Sequence, residues 1–403
     1  MTETVGSATP IPSQPKPPAL PAGTAGTATA PNSESCDEVV ERHKRRTAIT
    51  GKEVVACVVV GEEGKLPEQG DMRVAAPLEL PQYCYDNAFD GQWWGTREEA
   101  CRIRGVRVDI TNVQTGQLVG QLLLNEYAYA YGSSTTLNWA QQVEVSLYGG
   151  WGTIAGTTVD ARTECSGACT TSSSDFPRQS VILDTRQGGE AYFRGTSSAV
   201  GSTGNANASW HYRFYNPAWV GGQTTEVAAP YPTVRCDNAV PGYRIAGCIW
   251  PDWPGVLSYQ WNTYPELANH IWNAQQSGLP GAYPGLAPNG SPLTRLTDET
   301  LKVKNRNKAC PTSYPRPSGK SCDEYPFAST YQGASTGGGT GRTLEVCSIS
   351  ALPTGATGAT GYSACMINAE QNSEGGTGIN KMYQENRILD RDPFHVWIWS
   401  TQD

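Results

Sequence analysis

Apolar and polar residues alternate along much of the chain between residues 76 and 228. VRVDITNV (106–113) shows this pattern, and QVEVSLYGGWGTI and SWHYRFYNPAWV repeat it farther along. A period of two predicts strands with one buried face, and glycines mark the turns between them. Strands at this spacing predict an antiparallel, sandwich-like β module over residues 76–228, whose role the pattern does not reveal. We expect its aromatic residues to lie in the sheets rather than on a polymer-binding surface, and CSGACTTSSSD to be a disulfide-closed loop.

Two segments precede the β module. Residues 1–35 are rich in Pro, Ala and Thr, which predicts a disordered tail, and residues 36–75 are expected to be a short connecting segment. Within the latter, the β-branched run VVACVVV (54–60) predicts a buried strand. The N-terminus lacks a basic start followed by an apolar stretch, so either a secretory signal was removed and a Met added, or export uses another route.

Near residue 229 the chain becomes rich in proline and aromatic residues, and residues 229–403 are predicted to form a separate domain. In YPELANHIWNAQQSGLPG, apolar Leu267, Ile271 and Ala274 recur at helical spacing, and the following glycine and proline end the helix.

Four cations occupy every second position of LKVKNRNKAC: Lys302, Lys304, Arg306 and Lys308. On a strand this spacing places all four on one face, where they repel each other unless a polyanion lies opposite. The alternative is an edge strand whose lysines prevent aggregation. The local pattern does not decide between the two.

Composition limits the classes of protein that remain. The 44 Gly, 28 Pro and 17% charged residues suit a loop-rich, strand-rich protein better than a helical bundle. The formal net charge of −8 argues against a whole-chain basic surface for nucleic acid, so any such contact must be local. No apolar run approaches the ~18 residues that span a bilayer, and we expect no membrane partner.

The twelve cysteines are spread along the chain without any CxxC pair. This spacing disfavours tetrahedral zinc and favours disulfides in an oxidising compartment. Sequence does not fix connectivity, but pairing between neighbours is the simplest arrangement: 36–57, 84–101, 165–169, 236–248, 310–322 and 347–365.

Two adjacent carboxylates, Asp323 and Glu324, stand out in GKSCDEYPFAST (319–330). Neither has a histidine near it in sequence to share the charge. On a strand the two side chains point to opposite faces, so only one can face a given site. Taken alone, the pair is a weak signal.

The wider string CDEYPFAST (322–330) resembles the signature of the NucA/NucB-type secreted bacterial deoxyribonucleases, in their longer actinobacterial form. TYQGA (330–334), MINAEQNSEGGTG (366–378) and NRILDRDPFHVWI (386–398) continue the resemblance, which covers about residues 230–403. The resemblance implies an α+β nuclease domain with a small β-β-α active-site unit. SCDEY and YSACMIN would be its strands, Asn372 would sit before a glycine-rich turn and the helix, and PFHVWIW would be the closing strand.

The resemblance also implies a metal-dependent, sequence-nonspecific endonuclease. Asp323 takes the position of the general base, where related β-β-α enzymes carry histidine. Asn372 would hold Mg²⁺ or Mn²⁺, and Glu324 would be a second metal-shell group or a structural acceptor. Lys302, Lys304, Arg306 and Lys308 would contact phosphates without reading bases.

Two further residues are candidates for supporting roles in the active site, on weaker sequence signals. Gln332 stands where some relatives carry Glu, and Glu385 is a candidate supporting carboxylate whose alternative is a solvated helix face. His270 is expected to pack or cap a helix rather than bind a ligand, and His395 to point to solvent because it alternates with Phe394. The disulfides assigned to this domain involve Cys236, Cys248, Cys310, Cys322, Cys347 and Cys365.

The leading hypothesis is therefore a secreted, monomeric enzyme that hydrolyses DNA, with RNA as a further candidate substrate and any inhibitor protein unknown. A glycoside hydrolase is the first alternative, but its two carboxylates must lie ~5–9 Å apart across a sugar, which neighbours on one strand satisfy poorly. The second is a polysaccharide-binding surface protein without turnover.

Overall fold

The computed structural model describes residues 19–22, 34–61, 63–66 and 78–400. Most of the expected tail at 1–35 lies outside these residues. The chain divides into two compact units: residues 19–239 with 244–253 form one, here the β unit, and residues 240–243 with 254–400 form the other, here the C-terminal unit.

The β unit is built almost entirely of antiparallel strands. Its elements in chain order are β1 (Leu20–Pro21), α1 (Cys36–Thr50), β2 (Val54–Gly61), α2 (Gln82–Asp86), β3 (Trp94–Gly95), β4 (Glu99–Asn112), β5 (Leu118–Gly132), β6 (Asn138–Gly152), β7 (Thr158–Gly167), β8 (Cys169–Asp175), β9 (Gln179–Ser180), β10 (Arg186–Gly195), β11 (Thr203–Tyr215), β12 (Val227–Pro230), β13 (Val234–Asp237) and β14 (Gly247–Ile249).

Two sheets make up the β unit, as the alternating pattern predicts. One has eight strands in the order β1-β3-β4-β5-β6-β10-β8, with β2 also paired to β4; the other has six in the order β14-β13-β11-β7-β9, with β12 also paired to β11. Val143 and Val145 of the first sheet share one apolar core with Trp210, Tyr212 and Phe214 of the second. The alternation therefore predicted both the strands and the burial of these aromatic rings.

Three details of the β unit differ from the expectations. The unit extends to about residue 253 rather than 228, because β13 and β14 pair within the six-stranded sheet. β2 pairs along its whole length with β4, so this part of segment 36–75 belongs to a sheet and is not a connector. CSGACTTSSSD is not a loop: Cys165 lies near the end of β7, Cys169 begins β8, and the two cysteines form the expected disulfide.

The C-terminal unit mixes helices and short sheets. Its elements are β15 (Gly255–Gln260), α3 (Pro265–Gln276), β16 (Leu293–Thr294), α4 (Glu299–Ala309), β17 (Lys320–Tyr325), β18 (Gly341–Arg342), a 3₁₀ turn (Glu345–Cys347), β19 (Tyr362–Asn368), α5 (Ala369–Glu385) and β20 (Pro393–Trp399). One sheet has the order β15-β20-β16 and the other β17-β19-β18.

α3 and α5 pack their apolar faces into one core with both sheets. Leu267, Ile271 and Ala274 of α3 are buried as predicted, and Ile379 and Met382 of α5 are buried in the same core. α3 ends where expected, and Gly278 just beyond it has φ +98°. Such a backbone conformation favours glycine, which explains why the helix stops there.

The six neighbour disulfides predicted from spacing are all confirmed, and all twelve cysteines are paired. The Cys236–Cys248 bridge joins β13 to β14 and so belongs to the β unit, not to the C-terminal domain. Among the described residues, no helix combines the length and the apolar character needed to cross a bilayer.

Candidate active site

The two carboxylates lie on β17, which pairs antiparallel with β19. α5 follows β19 directly, and its start is fixed by Asn368, whose side chain accepts hydrogen bonds from the backbone N–H groups of Glu370 and Gln371. The strand–strand–helix order expected from the sequence is thus present. Asn372 lies within the first turn of α5 rather than before the helix, and the glycines that follow are helical instead of forming a turn.

Asp323 is buried and contacts a histidine from α3. Its Oδ2 lies 2.6 Å from Nδ1 of His270, whose Nε2 lies 2.9 Å from Oγ of Ser363 on β19. The side chains of His270 and Asp323 are 0% and 7% exposed. His270 was expected to be a packing group, so its contact with Asp323 is a finding of the tertiary structure.

A cleft of ≈ 350 Å³ opens between α4, α5 and β17. Asp323 and Glu324 both line it, although they are neighbours on a strand. A hydrolytic centre needs such a mixture of carboxylates, amides and cations. The polar residues of the lining are Tyr259, Glu299, Lys302, Arg306, Asp323, Glu324, Ser329, Asn372 and Asn380.

Glu324 is the most perturbed carboxyl group of this cleft. Burial and, to a smaller extent, the adjacent charge of Asp323 raise the pKa of Glu324 to about 8. The positive charge of Arg306 and a hydrogen bond from the backbone N–H of Ala328 act in the opposite direction. Strongly shifted carboxyl groups in clefts are characteristic of functional sites.

Asn372 is anchored through its amide nitrogen. Nδ2 donates hydrogen bonds to Oγ of Ser321 at 2.9 Å and to the carbonyl of Cys322 at 3.1 Å. Its amide oxygen has no donor among the described residues and remains available as a ligand. Glu324 lines the same cleft, and amide and carboxylate oxygens are the donors that Mg²⁺ and Mn²⁺ prefer, so the chemistry of these two residues fits such an ion.

A zinc-type ligand cluster is not found at the cleft. Within the described part of the chain, the single close group of three His, Cys, Asp or Glu ligand atoms comprises Cys36, Cys57 and Asp109 in the β unit. Both cysteines are joined in a disulfide and offer no thiolate. Mg²⁺ is commonly bound through one or two carboxylates and keeps several waters, so it needs no denser cluster.

The four cations lie on a helix, and the strand prediction is wrong. α4 is capped by Asp298, whose side chain accepts a hydrogen bond from the backbone N–H of Leu301. Positions four apart share a helix face, so the cations separate into two pairs. Lys302 and Arg306 line the cleft, whereas Lys304 and Lys308 do not.

The stretch after β17 is tied to α4 by Asn305. Its amide nitrogen donates to the carbonyls of Ala328 and Thr330, and its amide oxygen accepts from the backbone N–H groups of Ser335 and Thr336. This fully buried side chain therefore holds residues 328–330, the end of the CDEYPFAST motif, against α4.

Two supporting residues lie outside the cleft lining. Gln332 uses Oε1 to accept a hydrogen bond from the backbone N–H of Thr294, which is a structural contact. Glu385 is exposed and lies 3.5 Å from Lys381, so it occupies a solvated helix face.

His395 does not point to solvent. β20 is the central strand of its sheet and is covered on both faces, so successive residues Phe394, His395 and Val396 are all buried. Nδ1 of His395 donates to the carbonyl of Ala282 at 2.9 Å. Burial lowers the pKa of His395 to about 4.

Sequence reasoning missed His270 and Asn380. Asn380 lies eight residues after Asn372 on α5, close to two full turns, and this spacing was a usable signal that both face the cleft. His270 had no such signal, since 53 residues separate it from Asp323.

Comparison with known proteins assigns the C-terminal unit to a class. Its cleft is lined by the carboxyl residues of β17, the asparagines of α5 and the cations of α4, a combination typical of hydrolases. Residues 289–397 match the family described as Deoxyribonuclease NucA/NucB, and the C-terminal region therefore carries a domain of the NucA/NucB type. His270, Tyr259 and Leu267 of this site precede the matched residues.

No curated protein matches the chain. A solved structure described as the crystal structure of yeast GGA1_GAE domain-P21 is 11% identical to this chain, with a TM-score of 0.17. The match covers 27% of this chain and 89% of that one. A similarity this low carries no argument about fold or function.

Proposed function

We propose that the C-terminal unit is a metal-dependent endonuclease that hydrolyses phosphodiester bonds of DNA. The observation that carries the proposal is the single cleft that unites Asp323, Glu324, Asn372 and two cations within a NucA/NucB-type domain. Cations beside carboxylates suit a phosphodiester, whose charge must be attracted while a water molecule is activated next to it.

Asp323 is the proposed general base. Its Oδ2 is held by His270, and its Oδ1 has no protein partner among the described residues, so this second oxygen can accept a proton from water. The water oxygen then attacks phosphorus, and the bond between phosphorus and the leaving sugar oxygen breaks. Lys302 and Arg306 attract the phosphate oxygens and orient the bond that breaks.

Glu324 and Asn372 are the proposed ligands of Mg²⁺ or Mn²⁺. When bound, the ion lowers the pKa of the attacking water and offsets the charge that develops on the phosphate. The chain contributes the two oxygen donors and excludes bulk water from the half-buried carboxylate. Ionisation of Glu324 accompanies metal binding, because a carboxyl group must lose its proton to coordinate.

Secretion is part of the proposal and rests on the disulfides. Six bridges in one chain are stable in an oxidising, extracellular compartment and rare in the cytosol. DNA outside the cell is then the accessible substrate.

Plasmid cleavage by the full-length, disulfide-intact chain tests this function. We expect nicking with Mg²⁺ or Mn²⁺ that EDTA abolishes and that Asp323→Ala reduces by at least ~10²-fold, the usual contribution of a general base. Glu385→Ala is the matched control, since it removes an exposed carboxylate outside the cleft, and should leave the rate unchanged. An RNA substrate run in parallel decides between DNA and RNA. Full activity of Asp323→Ala would rule out this choice of base, and inactivity of folded protein with every metal would rule out the nuclease.

A further inference from the structure

His270 is a fully buried polar side chain in the middle of α3, and it contacts Asp323, the proposed base. Its imidazole bridges the two strands of the motif: Nδ1 contacts Asp323 on β17, and Nε2 contacts Ser363 on β19. Ser363 is also fully buried and pairs in register with Tyr325, two residues after Asp323.

The partners define the direction of each hydrogen bond. An ionised carboxylate can only accept, so Nδ1 of His270 carries the hydrogen that is donated to Oδ2 of Asp323. In a neutral imidazole Nε2 is then an acceptor, and the hydroxyl of Ser363 can donate to it. The chain from Ser363 through His270 to Asp323 thus satisfies every buried polar atom of the imidazole.

α3 holds this imidazole firmly because both of its ends are tied to neighbouring elements. At its start, Oε1 of Gln371 on α5 accepts a hydrogen bond from the backbone N–H of Glu266 at 2.9 Å. At its end, Nε2 of Gln275 donates to the hydroxyl of Tyr325 at 3.1 Å and to the carbonyl of Val396 at 3.0 Å. The helix is therefore fixed to β17, β20 and α5.

We propose that His270 is the positioning residue for the carboxylate of Asp323. By holding Oδ2, it fixes the rotation of the carboxyl group and directs Oδ1 to the cleft, where the water to be deprotonated binds. The inference rests on the proposed role of Asp323 as base. It adds a residue from α3, which precedes the residues that match the nuclease family.

Two substitutions of His270 distinguish a role in positioning Asp323 from a role in packing, because they place the hydrogen-bond donor at different points. In His270→Asn the amide nitrogen falls near the position of Nδ1 and can still donate to Asp323. In His270→Gln the amide nitrogen falls near Nε2, facing Ser363, and Asp323 loses its partner. Asparagine is one methylene shorter than glutamine, so packing alone would make His270→Asn the more disruptive of the two, which is the opposite of the order expected from positioning.

We expect His270→Gln to lower kcat by about 10²-fold, the cost of misplacing a reacting group by about 1 Å. KM should change less than about threefold, because the substrate contacts made by α4 remain. His270→Asn should stay within about tenfold of the unmodified protein. Thermal melts of both variants verify that they fold.

A second measurement needs no catalysis. The chain has four histidines, so selective ¹⁵N labelling of histidine gives few signals to assign. In metal-free, full-length protein, the Nδ1–H proton of His270 should resonate far downfield and should move upfield in Asp323→Ala. Loss of that signal in Asp323→Ala identifies the contact independently of activity.

The outcomes separate this inference from the proposed function. An unmodified protein that carries the resonance but cleaves no DNA would eliminate the nuclease, and the positioning role with it. A protein that cleaves DNA, with equal kcat in folded His270→Asn and His270→Gln, would overturn the positioning role and leave the nuclease intact. Absence of the downfield signal would remove the contact itself.

Discussion

The two faces of α4 give the sharpest quantitative prediction. Lys302 and Arg306 line the cleft, and Lys304 and Lys308 lie on other parts of the same helix. Replacing either pair with glutamine removes the same two positive charges from the same eleven-residue helix. Glutamine is a good helix former, and the ion pair that Lys302 makes with the exposed Glu299 adds little to stability, so both double variants should fold.

The expected magnitude follows from counterion release. Each phosphate contact contributes about 0.7 to 0.9 to the slope of log affinity against log salt concentration, for single and double strands respectively. Two contacts therefore account for a loss of about 7- to 12-fold in affinity when salt rises about fourfold. The variant Lys302→Gln/Arg306→Gln should lack this part of the salt dependence, whereas Lys304→Gln/Lys308→Gln should retain it.

Fluorescence anisotropy of labelled DNA in EDTA measures the binding while the proposed reaction is prevented. Titrations at several salt concentrations give the slope for each double variant and for the unmodified chain. Equal slopes for the two variants would refute the division of the cations by helix face. Such a result would instead suit the predicted strand, on which all four charges share one side.

Two further predictions concern stability. Burial lowers the pKa of His395 from 6.5 to about 4 on folding. The neutral imidazole therefore contributes fully to the free energy of unfolding above pH 6.5, and this contribution is lost as pH falls toward 4. Between neutral pH and pH 5 the loss is about 2 kcal/mol, which denaturant melts should show in the unmodified chain but not in His395→Asn. On α5, a Cβ added at Gly375 would lie 2.6 Å from Cδ2 of Leu267, while one at Gly376 would meet nothing within 4 Å. Gly375→Ala should therefore be less stable than Gly376→Ala by about 1–3 kcal/mol in the same melts, and equal stabilities would contradict the close packing of α5 on α3.

The sequence determined much of the local structure. The period-two pattern located the long strands of the β unit, because a sheet with one buried face requires apolar side chains at alternate positions. Close spacing favoured the six disulfides, and CDEYPFAST located β17 and its carboxylates. These are properties of short segments, and short segments are what a sequence displays directly.

The helix α4 shows where a local signal was misread. Alternate cations suggested a strand, but Asp298 is a helix-capping residue, Glu299 lies in the first turn and Arg306 and Lys308 lie in the last. That order of charges complements the helix dipole, and the buried faces of Asn305 and Ala309 fix the helix against the domain. The capping residue and the order of charges therefore indicated a helix, although the alternating cations suggested a strand.

The partner of Asp323 was decided by tertiary structure alone. His270 and Asp323 are far apart in sequence, and only the packing of α3 on β17 and β19 brings their side chains to 2.6 Å. The burial of His395 has the same origin, since a strand covered on both faces hides every residue regardless of alternation. Sequence patterns report which face of one element is apolar, but only the assembled elements determine which polar groups meet.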